Sequence, residues 1–256
     1  SRPKTVLELP ADMGCTAVGA PEVHAHNGKW HLFATLTFAG TALPKTDSWP
    51  RHEKRGTWIF TADRPEGPYR IVKRDSATPP EWSCLDGTLV VEDGKPYMVY
   101  CWEWLQQWDG TIEKIELKPD LSGSVGKGQL LFRASESPWS KERNEHGQIV
   151  PNKVTDGPFL FRTSTGRLGM IWTSWIYDVY TQGVAYSESG TLDGPWIQEP
   201  EPITPPNYGH GMIFKDFNGQ LLLSCHSHKK EGGRTIRIPR FFKVSLEGNR
   251  LQVLEK

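Results

Sequence analysis

The sequence predicts an all-β chain whose strands come in groups of four, the pattern of propeller blades. Three observations predict it. Four hairpins recur along the chain, each an apolar run, a glycine turn and a second apolar run, with turn glycines at Gly28, Gly94, Gly166 and Gly219. Each hairpin is followed by a third apolar run and then a short fourth one. No segment keeps a 3.6-residue apolar period over two turns, so helices should be few.

Taken in order, the first complete unit spans residues 20–75, with the hairpin Ala20–Ala34, the run Gly56–Ala62 and the short run Tyr69–Lys73. The second spans 84–134, with Leu85–Tyr100, Gly110–Leu117 and Gln129–Arg133. The third spans 153–204, with Thr155–Ser174, Gln182–Ser187 and Trp196–Ile203. The fourth spans 208–256, with His210–His226, Arg234–Val244 and Leu251–Glu255. Asn-Gly and Asp-Gly between apolar runs mark type I′ hairpins, whose turn residues need positive φ. Residues 1–19 are left over. Thr5–Leu9 reads as the outer strand of a further blade, so 1–19 is expected to be a blade remnant and linker. A propeller short of most of one blade leaves sheet edges open. A second copy or a separate segment is the expected cover.

Composition narrows the function. Thirty basic and thirty acidic residues give no net charge. With no basic stripe and no polybasic patch, neither nucleic acid nor a membrane is the expected partner. No apolar stretch approaches the roughly 18 residues of a membrane-spanning helix. The four cysteines form no CxxC pair and read as free buried thiols. Eleven tryptophans suit either blade cores or sugar stacking.

Four motifs carry a resemblance: Ala20–Val23 (Ala-Pro-Glu-Val), Leu85–Leu89 (Leu-Asp-Gly-Thr-Leu), Val154–Leu160 (Val-Thr-Asp-Gly-Pro-Phe-Leu) and Gly209–Phe214 (Gly-His-Gly-Met-Ile-Phe). Together, and in this order, they resemble glycoside hydrolase family 43, most closely its arabinofuranosidase and galactofuranosidase branch. The resemblance implies a five-bladed propeller, here with four complete blades and a remnant of the first. It also implies an axial funnel in which three carboxylates hydrolyse a glycoside with inversion. Asp86 matches the residue that orients the acid and tunes its pKa. Asp156 falls where the family has its acid, as Asp in place of Glu. The base lies in the first blade and has no counterpart here. His210 matches an axial histidine that meets a calcium or sodium ion through water. No cofactor is required.

Strand direction places further candidates. Asp86, Asp156 and His210 each open an inner strand, and second strands end where inner strands begin. Thr35–Thr37, Trp102–Trp104, Thr173–Trp175 and His226–His228 therefore rim the same end. Glu103 is a rival acid or a hydrogen-bonding partner for sugar hydroxyls. Trp104, Trp175 and His228 are candidate sugar contacts, with core packing as the plain alternative for the two tryptophans. Glu22 reads as a structural or substrate-contact residue rather than a catalytic one, Asp12 is not taken for the missing base, and His24 and His26 read as ordinary strand residues.

The expected activity is exo-acting, inverting removal of terminal arabinofuranose, galactofuranose or xylose from plant or microbial polysaccharide. The alternative is a sugar-binding propeller lacking its base, which the missing base and the Asp at the acid position favour. A polysaccharide substrate favours a secreted or periplasmic setting, though no residue fixes the compartment.

Overall fold

The computed structural model describes residues 3–42, 53–102, 106–145 and 147–254. The described residues are almost entirely β. Two 3-10 turns, Ala11–Met13 and Ala134–Glu136, are the helical elements among them. None of their helices is long and apolar enough to cross a membrane.

Four antiparallel four-stranded sheets follow one another along the chain, each a simple meander. The first has β1 (Ala17–His26), β2 (Lys29–Ala42), β3 (Glu53–Ala62) and β4 (Arg70–Ile71). The second has β5 (Cys84–Glu92), β6 (Lys95–Trp102), β7 (Thr111–Leu117) and β8 (Ser124–Arg133). A small hairpin, β9 (Arg143–Glu145) with β10 (Gln148–Val150), follows. The third sheet has β11 (Asp156–Arg162), β12 (Leu168–Ile176), β13 (Val179–Ser187) and β14 (Trp196–Gln198). The fourth has β15 (Tyr208–Lys215), β16 (Leu221–Glu231), β17 (Arg234–Ser245) and β18 (Gln252–Val253). The four glycine turns fall where the sequence puts them, each glycine at positive φ. The fourth strands are shifted: β8 starts five residues before the expected Gln129, whereas β4 and β14 are shorter than expected.

The chain divides into two compact units. One comprises residues 1–107 and 113–130, the other residues 108–112 and 131–256. In the first, Phe33 and Ile59 of the first sheet pack with Met98, Tyr100, Ile115 and Leu117 of the second. Leu32, Leu36, Trp58 and Phe60 form a separate cluster, against which Leu7, Leu9, Met13 and Cys15 are laid. Residues 5–9, expected as a blade's outer strand, make one parallel bridge, Leu7 with Tyr69, next to β4. The chain's own first residues thus cover apolar surface of the first sheet.

In the second unit, Phe161, Ile171, Val184 and Tyr186 of the third sheet pack with Leu223, Val244 and Leu251 of the fourth sheet and its outer connection. Trp172 is fully buried, edge-on to Phe132 at 5.4 Å and tilted against Trp139 at 4.7 Å. On the fourth sheet Phe214 and Phe241 form an exposed ring pair, 6.0 Å between centroids. None of the four cysteines is in a disulfide, and three of them are buried.

Candidate active site

The candidate residues sit on a device repeated in every sheet. Each inner strand is interrupted by a register shift, between Gly19 and Glu22, Leu85 and Thr88, Asp156 and Phe159, and Gly209 and Met212. The residue after the shift begins has positive φ: Ala20 at 43°, Asp86 at 57°, Gly157 at 48° and His210 at 56°. Such bulges bend a strand and re-aim its side chains. Positive φ is costly for residues other than glycine and persists where the surroundings enforce it. At Asp86 and His210 a threonine hydroxyl holds it. The Asp86 N–H donates to Thr35 Oγ1 at 2.9 Å, and the His210 N–H donates to Thr173 Oγ1 at 2.8 Å. Thr35 lies midway along β2, paired with Gly19, and Thr173 lies in β12, paired with Asp156, each opposite the start of its own sheet's register shift.

This repeat refines the sequence reading. Asp86 and His210 stand at equivalent positions, whereas Asp156 lies one residue earlier and leaves the bulge position to Gly157. The glycine is needed there, since a Cβ at Gly157 would come within 2.9 Å of the His210 ring.

In the first unit Asp86 is buried at the head of β5. The Gly87 N–H donates to Thr57 Oγ1 at 3.0 Å. Glu22 pairs with His24 at 3.1 Å, His26 reaches the Pro119 carbonyl at 3.0 Å, and Asp12 bridges to Arg74 at 2.7 Å. Trp102, a rim residue, stacks flat on Trp82 at 4.0 Å. Glu103 and Trp104 lie outside the described residues.

The second unit holds a dense polar cluster at the head of β11. The Tyr180 hydroxyl donates to Asp156 Oδ2 at 2.6 Å, and His210 Nδ1 lies 3.4 Å from Asp156 Oδ1. The Tyr180 ring stacks on His228 at 4.7 Å and His226 at 5.5 Å, and Trp175 tilts against it at 5.0 Å. The two histidines meet through Nε2 atoms 3.1 Å apart. The Arg143 guanidinium, brought by the β9–β10 hairpin, lies over the Trp175 ring at 4.3 Å. Of the sequence candidates, Asp156, His210, His228 and Trp175 come together here.

Tyr180 and Arg143 were missed. Tyr180 had a signal: β13 begins where β12 ends, and the tight turn pairs Trp175 with Tyr180 directly. Arg143 had none beyond the length of its connection, long loops being where function gathers. A calcium or sodium ion takes oxygen ligands. His210 offers nitrogen, and its Nδ1 is turned to Asp156.

Electrostatics set the state of the histidine pair. Burial, then the neighbouring His210 and His228, pushes His226 from its ordinary 6.5 down to about 4. Burial and Arg237 also lower His228. His226 therefore stays neutral in the folded protein across pH values at which the unfolded chain already protonates it. Stability on this account is full above pH 6.5 and falls as pH drops toward 4. Between pH 7.5 and 5 the native protein is expected to lose about 1–2 kcal/mol more than His226→Gln. Urea unfolding of both at the two pH values checks this, and equal losses would contradict it.

The chain is similar to known proteins. The family model for glycosyl hydrolases family 43 matches residues 10–242. An endo-arabinase from Bacteroides thetaiotaomicron VPI-5482 is similar at 34% identity and TM-score 0.80, over 94% of this chain and 80% of that one. An α-L-arabinofuranosidase from Lactobacillus brevis is similar at 18% identity and TM-score 0.68, over 97% and 82%. An exo-1,5-α-L-arabinanase from a bovine ruminal metagenomic library is similar at 17% identity and TM-score 0.64, over 97% and 83%. No curated protein matches. The four meander sheets are thus four complete blades of a β-propeller. With the family model matched over nine-tenths of its length, the chain belongs to glycosyl hydrolases family 43 and is a glycoside hydrolase.

Proposed function

We propose that the protein is an exo-acting, inverting hydrolase that removes a terminal furanose or xylose, with arabinofuranose the first choice and galactofuranose or xylose the alternatives. One observation carries the reading: a carboxylate at the head of β11, Asp156, bonded to a buried phenol and facing an imidazole. The solved relatives named for arabinan and arabinofuranoside hydrolysis support the choice of sugar.

In this reading Asp156 is the acid and protonates the leaving oxygen as the glycosidic bond breaks. Asp86, on the corresponding bulge of the second sheet, orients and tunes it. Inversion needs water delivered to the opposite sugar face by a base, the two carboxyl groups standing roughly 6.5–9.5 Å apart. The base is not assigned to a residue of this chain. Glu103 is the rival acid. Trp104, Trp175 and His228 are assigned to the sugar. For Trp175 the contact is by an edge or by the face opposite Arg143, since that guanidinium occupies one face.

The test is a panel of nitrophenyl α-L-arabinofuranoside, β-D-galactofuranoside and β-D-xyloside. It is run on the 256-residue chain and on any longer natural form, with proton NMR reporting the first anomer released. Hydrolysis with inversion of the arabinofuranoside is the expected result. Turnover only by a longer form puts the base in the added residues, whereas turnover by this chain puts it among the chain's own carboxylates. Calorimetric binding of arabino-oligosaccharides with no turnover by any form would replace the enzyme with a sugar-binding propeller. That second reading is favoured by Asp at the acid position.

A further inference from the structure

We propose that Tyr180 is a positioning residue that acts through Asp156, fixing one carboxyl oxygen so that the acid proton is delivered from the other. The inference rests on the reading of Asp156 as the acid.

The geometry separates the two oxygens. Oδ2 accepts the Tyr180 hydroxyl at 2.6 Å. Oδ1 lies 3.4 Å from His210 Nδ1, beyond ordinary hydrogen-bond length. A phenol has one proton to donate, and here it is given to Oδ2. A neutral Asp156 with Oδ2 as the accepting carbonyl carries its own proton on Oδ1. When that O–H bond breaks, the proton passes to the glycosidic oxygen and the electron pair stays on the carboxylate. The Tyr180 hydrogen bond then strengthens, because its acceptor has become charged.

The phenol is held as a support must be. Tyr180 is buried, and its ring is stacked nearly parallel to His228 and His226, at 18° and 24°. Trp175 closes a further side at 5.0 Å. Gly209 has no room for a side chain, as a Cβ there would lie 2.5 Å from the Tyr180 ring. A ring packed this tightly cannot swing its hydroxyl away, and catalytic geometry depends on locked supporting side chains. The support matters more for an aspartate, which is one methylene shorter than glutamate. The stacked histidines also suit an acid: His226 is pushed down to about 4 and so adds no positive charge that would favour the carboxylate anion.

A phenol needing a partner for its hydroxyl is the plain alternative, and leaving-group dependence separates the two. Tyr180→Phe is assayed on methyl α-L-arabinofuranoside, which needs its leaving oxygen protonated, and on the 2,4-dinitrophenyl glycoside, which does not. The expected loss of kcat is on the order of 10- to 100-fold on the methyl glycoside and under about 3-fold on the dinitrophenyl one, with KM nearly unchanged. The ratio of the two rates is independent of the folded fraction, so lost stability cannot imitate it. Tyr186→Phe removes the hydroxyl that accepts the Leu251 N–H and serves as the structural control, with no change in the ratio. Equal losses on both substrates, or none, overturn the inference. If Asp156→Asn shows the dependence and Tyr180→Phe does not, the inference fails alone. If the native protein cleaves neither glycoside, the acid reading fails and takes this one with it.

Discussion

Asp156→Asn is expected to lower kcat on an unactivated arabinofuranoside by about 10²- to 10⁴-fold, the usual worth of a general acid. The change is close to isosteric. The Asn carbonyl can still accept the Tyr180 hydroxyl that now bonds Oδ2 at 2.6 Å. Only the transferable proton is removed, so KM is expected to stay within a few-fold. On a 2,4-dinitrophenyl glycoside, whose leaving group departs without protonation, the loss is expected to shrink to about tenfold or less. Steady-state kinetics on the two substrates decide the matter. A uniform loss on both would remove Asp156 from the acid's role, and a loss confined to the unactivated substrate in Glu103→Gln would move the role there. Asp86→Asn serves as a companion: an orienting carboxylate is expected to depress kcat on both substrates and to shift the alkaline limb of the pH profile.

The contrast between Asp86 and Asp156 shows how far the residues could be read in advance. Blade-like meanders were legible because glycine turns and apolar alternation are local, and all four hairpins formed where they point. Placing Asp86, Asp156 and His210 at strand starts was also legible. Their unequal placement was not. The bulges that set Asp86 and His210 at positive φ are held by threonines of the preceding sheet, and the third sheet's bulge leaves Asp156 one residue before it. Contacts between sheets carry no local sequence period. Tyr180 shows the same limit from the other side. Its nearness to Trp175 follows from a tight turn, but its bond to Asp156 reaches across β12, the strand between β11 and β13. Arg143 arrives on a connection with no repeat to align it. The neighbour of the first residues was not legible for a related reason: Leu7 and Leu9 are as apolar as a strand requires, but packing decides that they lie against the first sheet's cluster.

Trp172→Ala is expected to cost about 3–5 kcal/mol, the range for emptying a large buried aromatic site. That is a large share of the 5–15 kcal/mol by which folded domains are usually stable. Trp172 is fully buried in β12, and its indole N–H donates to Gln198 Oε1 at 2.9 Å. The Gln198 Nε2 already lacks a partner, so truncation would strip that buried amide of its remaining side-chain bond. Trp172→Phe keeps most of the ring contact and loses the hydrogen bond, and about 1–2 kcal/mol is expected of it. Urea unfolding of the two variants checks the order, and a loss below about 1 kcal/mol for Trp172→Ala would show that this cluster is not a core. The consequence reaches the rim. Trp139 lies against Trp172 and across Gly183, where a Cβ would meet its indole at 2.5 Å. Trp139 anchors the connection that carries Arg143 to the face of Trp175. Loosening that anchor frees the Arg143 guanidinium and the Trp175 ring, while the Asp156–Tyr180 pair keeps its own supports in His226, His228 and Gly209. At a temperature where Trp172→Phe is still folded, KM is therefore expected to rise more than kcat falls, because the rim that grips the sugar gives way before the group that protonates it.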